Sequence, residues 1–395
     1  MSLHGPSFNH YYPNQKYSRM IKNLILGVLS LSSIYYVYFI TRVGVGLLSL
    51  RSARPKTMTP KISVVVAARN EENNIGKCIQ SLLKQTYPAN SYEIIIVDDG
   101  STDKTASIVK SFSERFINIH LISLMIDAEQ INGRKPIALS QGIAQATGEI
   151  ILTTDADCIV PPHWIEIMAN HFEEGVVFVA GPVAERDSNT FFAKIEQLEF
   201  LGLITTAAGL IGSGRPIICN GANLAYRKDA FAAIDGFSAK SSSNDDESLM
   251  NKMVHKKIGR VVFAPEADAV VTTSSSNTIT TFLRQRIRWA NKRGHYEDKS
   301  ILFMLVGLYI FFASMLLTMV LLFHEPQFIR PFTVAFGGKI LVDYFTLRSG
   351  ARLFRQRIPI FHFLIAEFLH VPYIVIAAAI GQIASMRWKG RSIRR

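Results

Sequence analysis

One uncharged apolar run constrains the fold of this chain more than any other feature. Residues Ile301–Phe323 read ILFMLVGLYIFFASMLLTMVLLF and contain no Asp, Glu, Lys or Arg. About 20 consecutive apolar residues are enough for a helix to cross the hydrocarbon core of a bilayer. A lone segment in that core must satisfy its backbone hydrogen bonds internally, which a helix does. The run therefore predicts a transmembrane helix over residues 301–323.

A second apolar segment lies near the start of the chain. Residues 21–50 follow a more polar tail at 1–20 and include LILGVLSLSSIYYVYFI. The segment begins far from Met1 and lacks the small-residue cleavage signature of a removed signal peptide. It therefore predicts an N-terminal membrane anchor.

Two weaker apolar segments follow the first transmembrane run. Residues 331–347 predict another transmembrane helix, although they include two charged residues. Residues 358–386 are interrupted by Pro372, so they predict either a further crossing or a re-entrant segment. A basic tail follows at 387–395. The side of the membrane on which this tail lies stays open, because the two paths place it on opposite sides.

The net charge indicates the kind of partner. The 395 residues carry a formal charge of +12, which favours an anionic partner such as nucleic acid, a phospholipid surface or a phosphorylated substrate. Basic residues cluster beside the apolar segments, as in 348–357. This placement favours the lipid bilayer and argues against nucleic acid. The three cysteines have no zinc or disulfide spacing and predict small buried side chains; they are Cys78, Cys158 and Cys219.

Residues 60–276 have the pattern of a soluble α/β domain. Short runs rich in Val and Ile predict strands, and they read KISVVVAA, EIIIVDD, NIHLISL, GEIILTTD and GVVFVAG. Amphipathic segments at 71–85, 102–112 and 135–146 predict helices between them. Alternating strands and helices give a mostly parallel sheet with helices on both faces. Ligands of such sheets bind beyond the carboxyl ends of the strands.

Acidic residues follow three of these predicted strands, in the sequences AARNEEN, DDGSTD and DADC. In the last of them, Asp155 and Asp157 repel each other, and burying both unpaired is costly. They therefore lie in solvent at a loop tip or hold a cation between them. Since parallel strands end at one edge of the sheet, we expect all three acidic sequences to meet in one crevice.

Five ordered motifs between about residues 61 and 292 resemble those of the family-2 inverting glycosyltransferases, in particular the membrane-bound branch that includes processive polysaccharide synthases. In chain order they are VVAARNEE at 65–72, VDDGSTD at 97–103, TDAD at 154–157, NDDESL at 244–249 and QRIRW at 285–289. The resemblance implies a GT-A fold, a Rossmann-like α/β sheet, here with transmembrane helices at both ends. It also implies a nucleotide-sugar donor, with a UDP-sugar favoured.

The resemblance further implies how the donor nucleotide is held. Glu71, with Asp98 or Asp99, resembles the groups that bind the nucleoside, since a carboxylate accepts hydrogen bonds from base N–H groups and ribose hydroxyls. Family members more often have an aromatic residue at the position of Arg69. The implied donor-binding residues are Ala68, Glu71, Asp98, Asp99, Lys135, Asp155 and Arg288.

Asp155 and Asp157 resemble the metal-binding pair of the family. Carboxylate oxygens suit Mg²⁺ or Mn²⁺, which take their remaining ligands from water and substrate phosphates. Such an ion would neutralise the charge that grows on the departing nucleoside diphosphate. The resemblance implies that Asp157 is the direct ligand and that Asp155 also lies near the donor sugar or ribose.

The acidic run NDDESL supplies the general base that the resemblance implies. Aligned residue by residue, Asp246 takes this catalytic role, and Asp245 replaces the usual Glu. Inverting transfer needs one base that accepts the proton of the acceptor hydroxyl. The competing interpretation is an acidic first turn of a helix, which the macrodipole favours.

Residues 277–297 predict an amphipathic interfacial helix, because apolar and basic residues recur at helical spacing around QRIRW. The resemblance implies that Arg288 reaches the diphosphate and that Gln285 and Trp289 bind the acceptor. The alternative is that the basic residues bind anionic lipid and that the tryptophan lies among the headgroups. The apolar segment 191–210 is expected to lie against the membrane or to be an internal packing helix.

These expectations describe a metal-dependent enzyme of the cytoplasmic membrane whose catalytic domain faces the cytosol. It would transfer a sugar to a glycan or lipid-linked acceptor in the synthesis of a cell-envelope polysaccharide or glycolipid. The QRIRW motif favours processive synthesis, and the small number of spans favours a single transfer. The alternative is an inactive membrane nucleotide-binding or scaffold protein of the same fold.

Overall fold

The computed structural model describes most of the chain. The described residues are 13–55, 59–124, 134–186, 190–237, 245–276, 278–290, 298–383, 386–388 and 391–393. Several expectations fall partly outside this range, namely those on the tail at 1–12, on 291–297 of the interfacial segment, on 389–390 and 394–395 of the basic tail, and on the side chain of Asp245.

The strands and helices follow the predicted alternation. The strands are β1 Ile62–Ala68, β2 Tyr92–Asp98, β3 Ile119–Ser123, β4 Ile150–Thr153, β5 Val176–Ala180, β6 Val183–Glu185, β7 Leu224–Arg227, β8 Arg260–Phe263, β9 Val271–Thr273, β10 Met386–Trp388 and β11 Arg391–Ile393. The helices are α1 Pro13–Leu48, α2 Ile75–Leu83, α3 Thr105–Ser113, α4 Arg134–Gln145, α5 Trp164–Asn170, α6 Phe191–Gly212, α7 Lys228–Ala233, α8 Asp245–His255, α9 Ile279–Ala290, α10 Lys299–Leu321, α11 Ile329–Leu353 and α12 Ile360–Ile383.

The central sheet has the strand order β3-β2-β1-β4-β7-β5-β8. Strand β1 pairs in parallel with β2 and β4, and β7 runs antiparallel between β4 and β5. The strands β1, β2, β4 and β5 are almost continuously buried, as expected for parallel strands covered on both faces. The predicted mostly parallel α/β sheet is confirmed.

Within the described residues, four helices are long and apolar enough to cross a membrane: α1, α6, α10 and α12. Helices α1 and α10 cover the segments predicted at 21–50 and 301–323. Helix α11 covers the segment predicted at 331–347, and α12 continues as one helix through Pro372.

Helix α6 connects the sheet to the long helices. It contacts β6 and β8 and also α1, α11 and α12. Its crossing with α1 requires glycine, because a Cβ atom on Gly46 would lie 1.9 Å from the carbonyl oxygen of Gly209. The two helix backbones therefore touch. This direct packing sets the position of the α/β domain relative to the long helices.

Candidate active site

The carboxyl ends of β1, β2 and β4 open into one large cavity of about 1670 Å³. Nearly all residues expected in the site line this cavity. They are Ala68, Glu71, Asp99, Lys135, Asp155, Asp157, Asp246, Gln285, Arg288 and Trp289. The structure therefore brings together residues that are up to about two hundred positions apart in the sequence.

One end of the cavity holds the side chains that the sequence analysis connects with the nucleoside. The carboxylate of Glu71 accepts a hydrogen bond from Nδ2 of Asn74 at 2.9 Å. Nη1 of Arg69 lies 3.7 Å from Oδ2 of Asp99 and donates a hydrogen bond to its backbone oxygen at 2.9 Å. The backbone N–H of Asp99 in turn bonds the carbonyl of Ala68 at 2.9 Å. These contacts fix two carboxylates at one cavity wall.

The first two acids of VDDGSTD, Asp98 and Asp99, have different positions. Asp99 lines the cavity. Asp98 is buried, and its carboxylate accepts a hydrogen bond from the backbone N–H of Ser101 at 3.3 Å. Asp98 thus supports the turn after β2. Of the two residues that the sequence left as alternatives, Asp99 is the one that lines the cavity.

Three possible ligand groups lie together after β4. The ligand atoms of Asp155, Asp157 and Cys158 are all within 4.8 Å of one another. Burial, together with the nearby carboxylates of Asp155 and Glu71, raises the pKa of Asp157 above its ordinary value. Two carboxylates crowded in this way suit a hard divalent cation, and they fit Mg²⁺ or Mn²⁺.

The cysteine in this group hydrogen-bonds a neighbouring carboxylate. Burial, followed by the charge of Asp155, holds the pKa of the Cys158 thiol well above its ordinary value. Its sulfur lies 3.7 Å from Oδ1 of Asp157 and donates to it. The donor set is therefore a pair of oxygen ligands and is not the soft sulfur set that zinc prefers.

A lysine joins this pair to the predicted base. Nζ of Lys135 lies 2.5 Å from Oδ1 of Asp155. A Cβ atom on Gly221 would lie 3.4 Å from this ammonium group and 3.2 Å from Oδ2 of Asp246. Lys135 and Asp246 thus both lie close to Gly221, which has no side chain and leaves space for them.

The Asp246 carboxylate is held at the start of α8. Its Oδ2 accepts a hydrogen bond from the backbone N–H of Gly221 at 2.7 Å, and its Oδ1 accepts one from Glu247 at 2.8 Å. Backbone donors are rigid, so the carboxylate has a fixed direction toward the cavity that it lines. A fixed carboxylate in reach of a bound acceptor can accept a proton.

The QRIRW motif is organised around Arg286. This residue is only 3% exposed, pairs with Glu199 of α6 and donates a hydrogen bond to Oε1 of Gln285 at 2.7 Å. Its guanidinium carbon lies 4.3 Å from the ring centre of Trp289. The ion pair therefore orients both predicted acceptor-binding residues and covers one face of the tryptophan.

The sequence analysis missed several residues of the site. Arg286 and Glu199 are partners 87 positions apart, and the only local sign was an acidic residue in the apolar segment of α6. Glu185, Cys219 and Asn220 also line the cavity. None of the five motifs covers these three residues, and only the fold brings them to the cavity.

Known families match this chain over most of its length. Residues 150–376 match the family "Glycosyl transferase family group 2", and residues 63–235 match "Glycosyl transferase family 2". The chain belongs to the family-2 glycosyltransferases. The expectation of a glycosyltransferase is confirmed, and the cavity at the strand ends is the candidate active site of this glycosyltransferase.

Two curated relatives and one solved structure are similar to this chain. The glycosyltransferase is 25% identical to a β-monoglucosyldiacylglycerol synthase of Nostoc sp. over 400 residues, which cover 92% of this chain and 80% of that protein. It is 25% identical to an N-acetylglucosaminyltransferase of Mesorhizobium japonicum over 359 residues, 84% of this chain and 82% of that one. A mannosyltransferase from Pyrobaculum calidifontis in complex with GDP-Man and Mn²⁺ is 19% identical, with a TM-score of 0.55 over 91% of this chain and 98% of that chain. The structural likeness confirms the expected fold.

Proposed function

We propose that this glycosyltransferase transfers a sugar, with inversion, from a nucleotide-sugar donor to an acceptor that enters from the membrane. A UDP-sugar is the favoured donor. One observation carries the proposal: a single cavity is lined by the strand-end carboxylates, by Asp246 and by apolar side chains of the long helices α10 and α12. In this proposal, a polar donor site and a membrane-facing acceptor path meet at the carboxylate of Asp246.

The donor would occupy the cavity end at β1, β2 and β4. Glu71 and Asp99 would accept hydrogen bonds from the nucleoside. Lys135 and Arg288 carry positive charge at the wall of the same cavity, where they would attract the diphosphate. A divalent cation held by Asp157 and Asp155 would neutralise the negative charge of the leaving group.

Asp246 would act as the general base. As the acceptor oxygen attacks the anomeric carbon, its proton passes to the Asp246 carboxylate. A new carbon–oxygen bond forms on one face of the sugar. The bond to the donor phosphate breaks on the opposite face, and its electron pair leaves with the nucleoside diphosphate. This direct displacement inverts the anomeric carbon without a covalent enzyme intermediate.

The apolar lining on the proposed acceptor side of the cavity favours an acceptor that enters from the membrane. Leu302 and Tyr309 of α10 and Leu369 and Ile376 of α12 line it, and both helices can span a bilayer. The named relatives act, by their names, on a diacylglycerol and with N-acetylglucosamine. We propose a glycan or lipid-linked acceptor in cell-envelope synthesis. Since nucleotide sugars are made in the cytosol, the catalytic domain would face the cytosol from the cytoplasmic membrane.

A donor screen tests this proposal. The full-length protein in lipid nanodiscs is given UDP-glucose, UDP-N-acetylglucosamine and GDP-mannose with Mn²⁺, and nucleoside diphosphate release is measured. We expect release from at least one donor and a loss of about 100-fold or more in Asp246→Asn, with nucleotide affinity retained. Asp235→Asn is the matched control, because it removes a largely exposed carboxylate.

Two results would count against the proposal. Release at the wild-type rate by Asp246→Asn would remove the base assignment. Nucleotide binding by the wild type without release from any donor would favour the inactive scaffold protein instead.

A further inference from the structure

A cluster of ionisable residues lies within the long helices. Nζ of Lys339 lies 2.9 Å from Oδ2 of Asp343, one turn away on α11, and also pairs with Glu367 of α12. The hydroxyl of Tyr36, from α1, donates a hydrogen bond to Oδ2 of Asp343 at 2.8 Å. We call these four residues the Lys339 cluster. It connects three helices.

The cluster occupies a costly position. Lys339 is fully buried and, like Asp343, lies near the middle of the 25-residue α11. Ionisable side chains at such depth in a membrane protein are expensive, and they usually mark a path or site for a polar substrate. The cluster also contains two carboxyl groups for one ammonium group, so it is not a simple one-to-one ion pair.

The cluster is continuous with the candidate active site. Tyr36, Asp343 and Glu367 line the same cavity as Asp157 and Asp246. Lys339 lies behind them, with no exposed surface. Among the described residues, Lys339 alone donates a hydrogen bond to Glu367, and it does so at one oxygen. The carboxylates therefore keep capacity to accept further hydrogen bonds from a molecule in the cavity.

A purely structural ion pair in this protein has a different form. Lys22 of α1 lies 2.8 Å from Glu325, which follows α10, so one ammonium group matches one carboxylate. That pair lines a separate cavity of about 400 Å³. One balanced pair is enough to connect two helices, so the surplus carboxylate of the Lys339 cluster calls for another explanation.

We propose that the Lys339 cluster is a second binding subsite, which accepts hydrogen bonds from the hydroxyl groups of a sugar already attached to the acceptor. The inference rests on the proposed function and names the acceptor class as glycosylated. The oxygen atoms of Asp343 and Glu367 at the cavity wall can accept hydrogen bonds from sugar hydroxyl groups. Phe312, which meets the rings of Tyr36 and His370 edge-on, adds an aromatic side chain to this wall, and aromatic side chains suit the apolar side of a sugar ring.

Binding measurements on the full-length protein in nanodiscs test the subsite. The soluble probes are cellotetraose and chitotetraose, and the lipid probe is monoglucosyl-dioleoylglycerol, with dioleoylglycerol as the sugar-free comparison. We expect the wild type to bind at least one sugar-bearing probe and Glu367→Gln to weaken its Kd at least about tenfold. Glu325→Gln, which breaks the balanced pair outside the catalytic cavity, should leave this Kd unchanged. The two kinds of probe distinguish a free glycan from a glycolipid as the source of the sugar.

The outcomes separate this inference from the proposed function. The subsite is overturned if the wild type releases nucleoside diphosphate yet binds no sugar-bearing probe, or if Glu367→Gln binds the probe as the wild type does. Absence of nucleoside diphosphate release from every donor would instead overturn the proposed function. If Glu367→Gln fails to fold, Glu367→Asp keeps the charge and withdraws it by one methylene, and the same loss of affinity is expected.

Discussion

The catalytic cleft and the long helices arrange their charges in opposite ways. In the cleft, burial and the nearby carboxylates of Asp155 and Glu71 raise the pKa of Asp157, so like charges are held together. Among the helices, Glu199 faces Arg286 and Glu325 faces Lys22. A folded chain keeps like charges close only where something else compensates them. Lys135 pairs with Asp155 in the cleft, and we propose that a cation and a ligand compensate the remaining carboxylates, whereas the chain itself supplies the partners in the helix contacts.

The Lys339 cluster lies between these two cases. It has an internal ammonium group, as the helix pairs do, but it also has a surplus carboxylate at the cavity wall, as the cleft does.

The largest effect is expected at Arg286. Arg286→Met leaves the Glu199 carboxylate buried without its cation, which should lower the free energy of unfolding by about 3–5 kcal/mol. Thermal unfolding in nanodiscs measures this loss. The double variant Glu199→Gln with Arg286→Met removes both charges and should recover most of it. A single variant as stable as the wild type would show that the pair does not organise QRIRW.

A smaller loss is expected at Trp289. Trp289→Ala removes the ring that lies beside Arg286 and should raise the acceptor KM about tenfold, which equals about 1.4 kcal/mol, with less effect on donor hydrolysis. Trp289→Phe keeps an aromatic face and is the matched control. Equal losses in transfer and hydrolysis would point to a folding defect instead of an acceptor contact.

The third prediction concerns pH and Glu185. Burial, and then the neighbouring Glu196, raise the pKa of Glu185 from 4.5 to about 9. Between these values the folded protein retains a proton that the unfolded chain releases, so stability should fall as pH rises through this window. Melting temperatures of wild type and Glu185→Gln, measured from pH 5 to about 9, should diverge, with the variant less sensitive to pH. Parallel curves would assign the pH response to other groups.

The smallest effect is expected at the balanced pair between Lys22 and Glu325. Both side chains are partly exposed, and such pairs contribute about 0–1 kcal/mol. Lys22→Met should therefore change the melting temperature little and leave donor release unchanged. A loss as large as that of Arg286→Met would mean that the two helix pairs are equivalent, against the comparison.

The sequence predicted the parts of the fold that local patterns determine. The valine- and isoleucine-rich runs became β1 to β5, and the acids that follow β1, β2 and β4 meet in one cavity because parallel strands end at one edge. The same reasoning could not choose between Asp98 and Asp99, since the choice depends on which way each side chain points after the strand.

Contacts between distant segments could not be predicted from one sequence. Arg286 lies in a segment predicted to be an amphipathic interfacial helix, yet it is buried against an acid on α6. Lys339, Asp343 and Glu367 weakened the transmembrane assignment of their segments when taken singly. Only the packing of α1, α11 and α12 shows that these charges meet.

Nucleotide binding with and without metal tests whether Asp155 and Asp157 hold a cation for the donor diphosphate. UDP, and in parallel GDP, is titrated calorimetrically into the wild type and Asp157→Asn in nanodiscs, with Mn²⁺ or with EDTA. If the carboxylates after β4 await a cation and a diphosphate, the wild type should bind one nucleotide at least about tenfold more tightly with Mn²⁺, which is about 1.4 kcal/mol. Asp157→Asn should lose that gain. Equal affinity of the wild type in Mn²⁺ and in EDTA would show that these carboxylates do not hold a metal for the nucleotide.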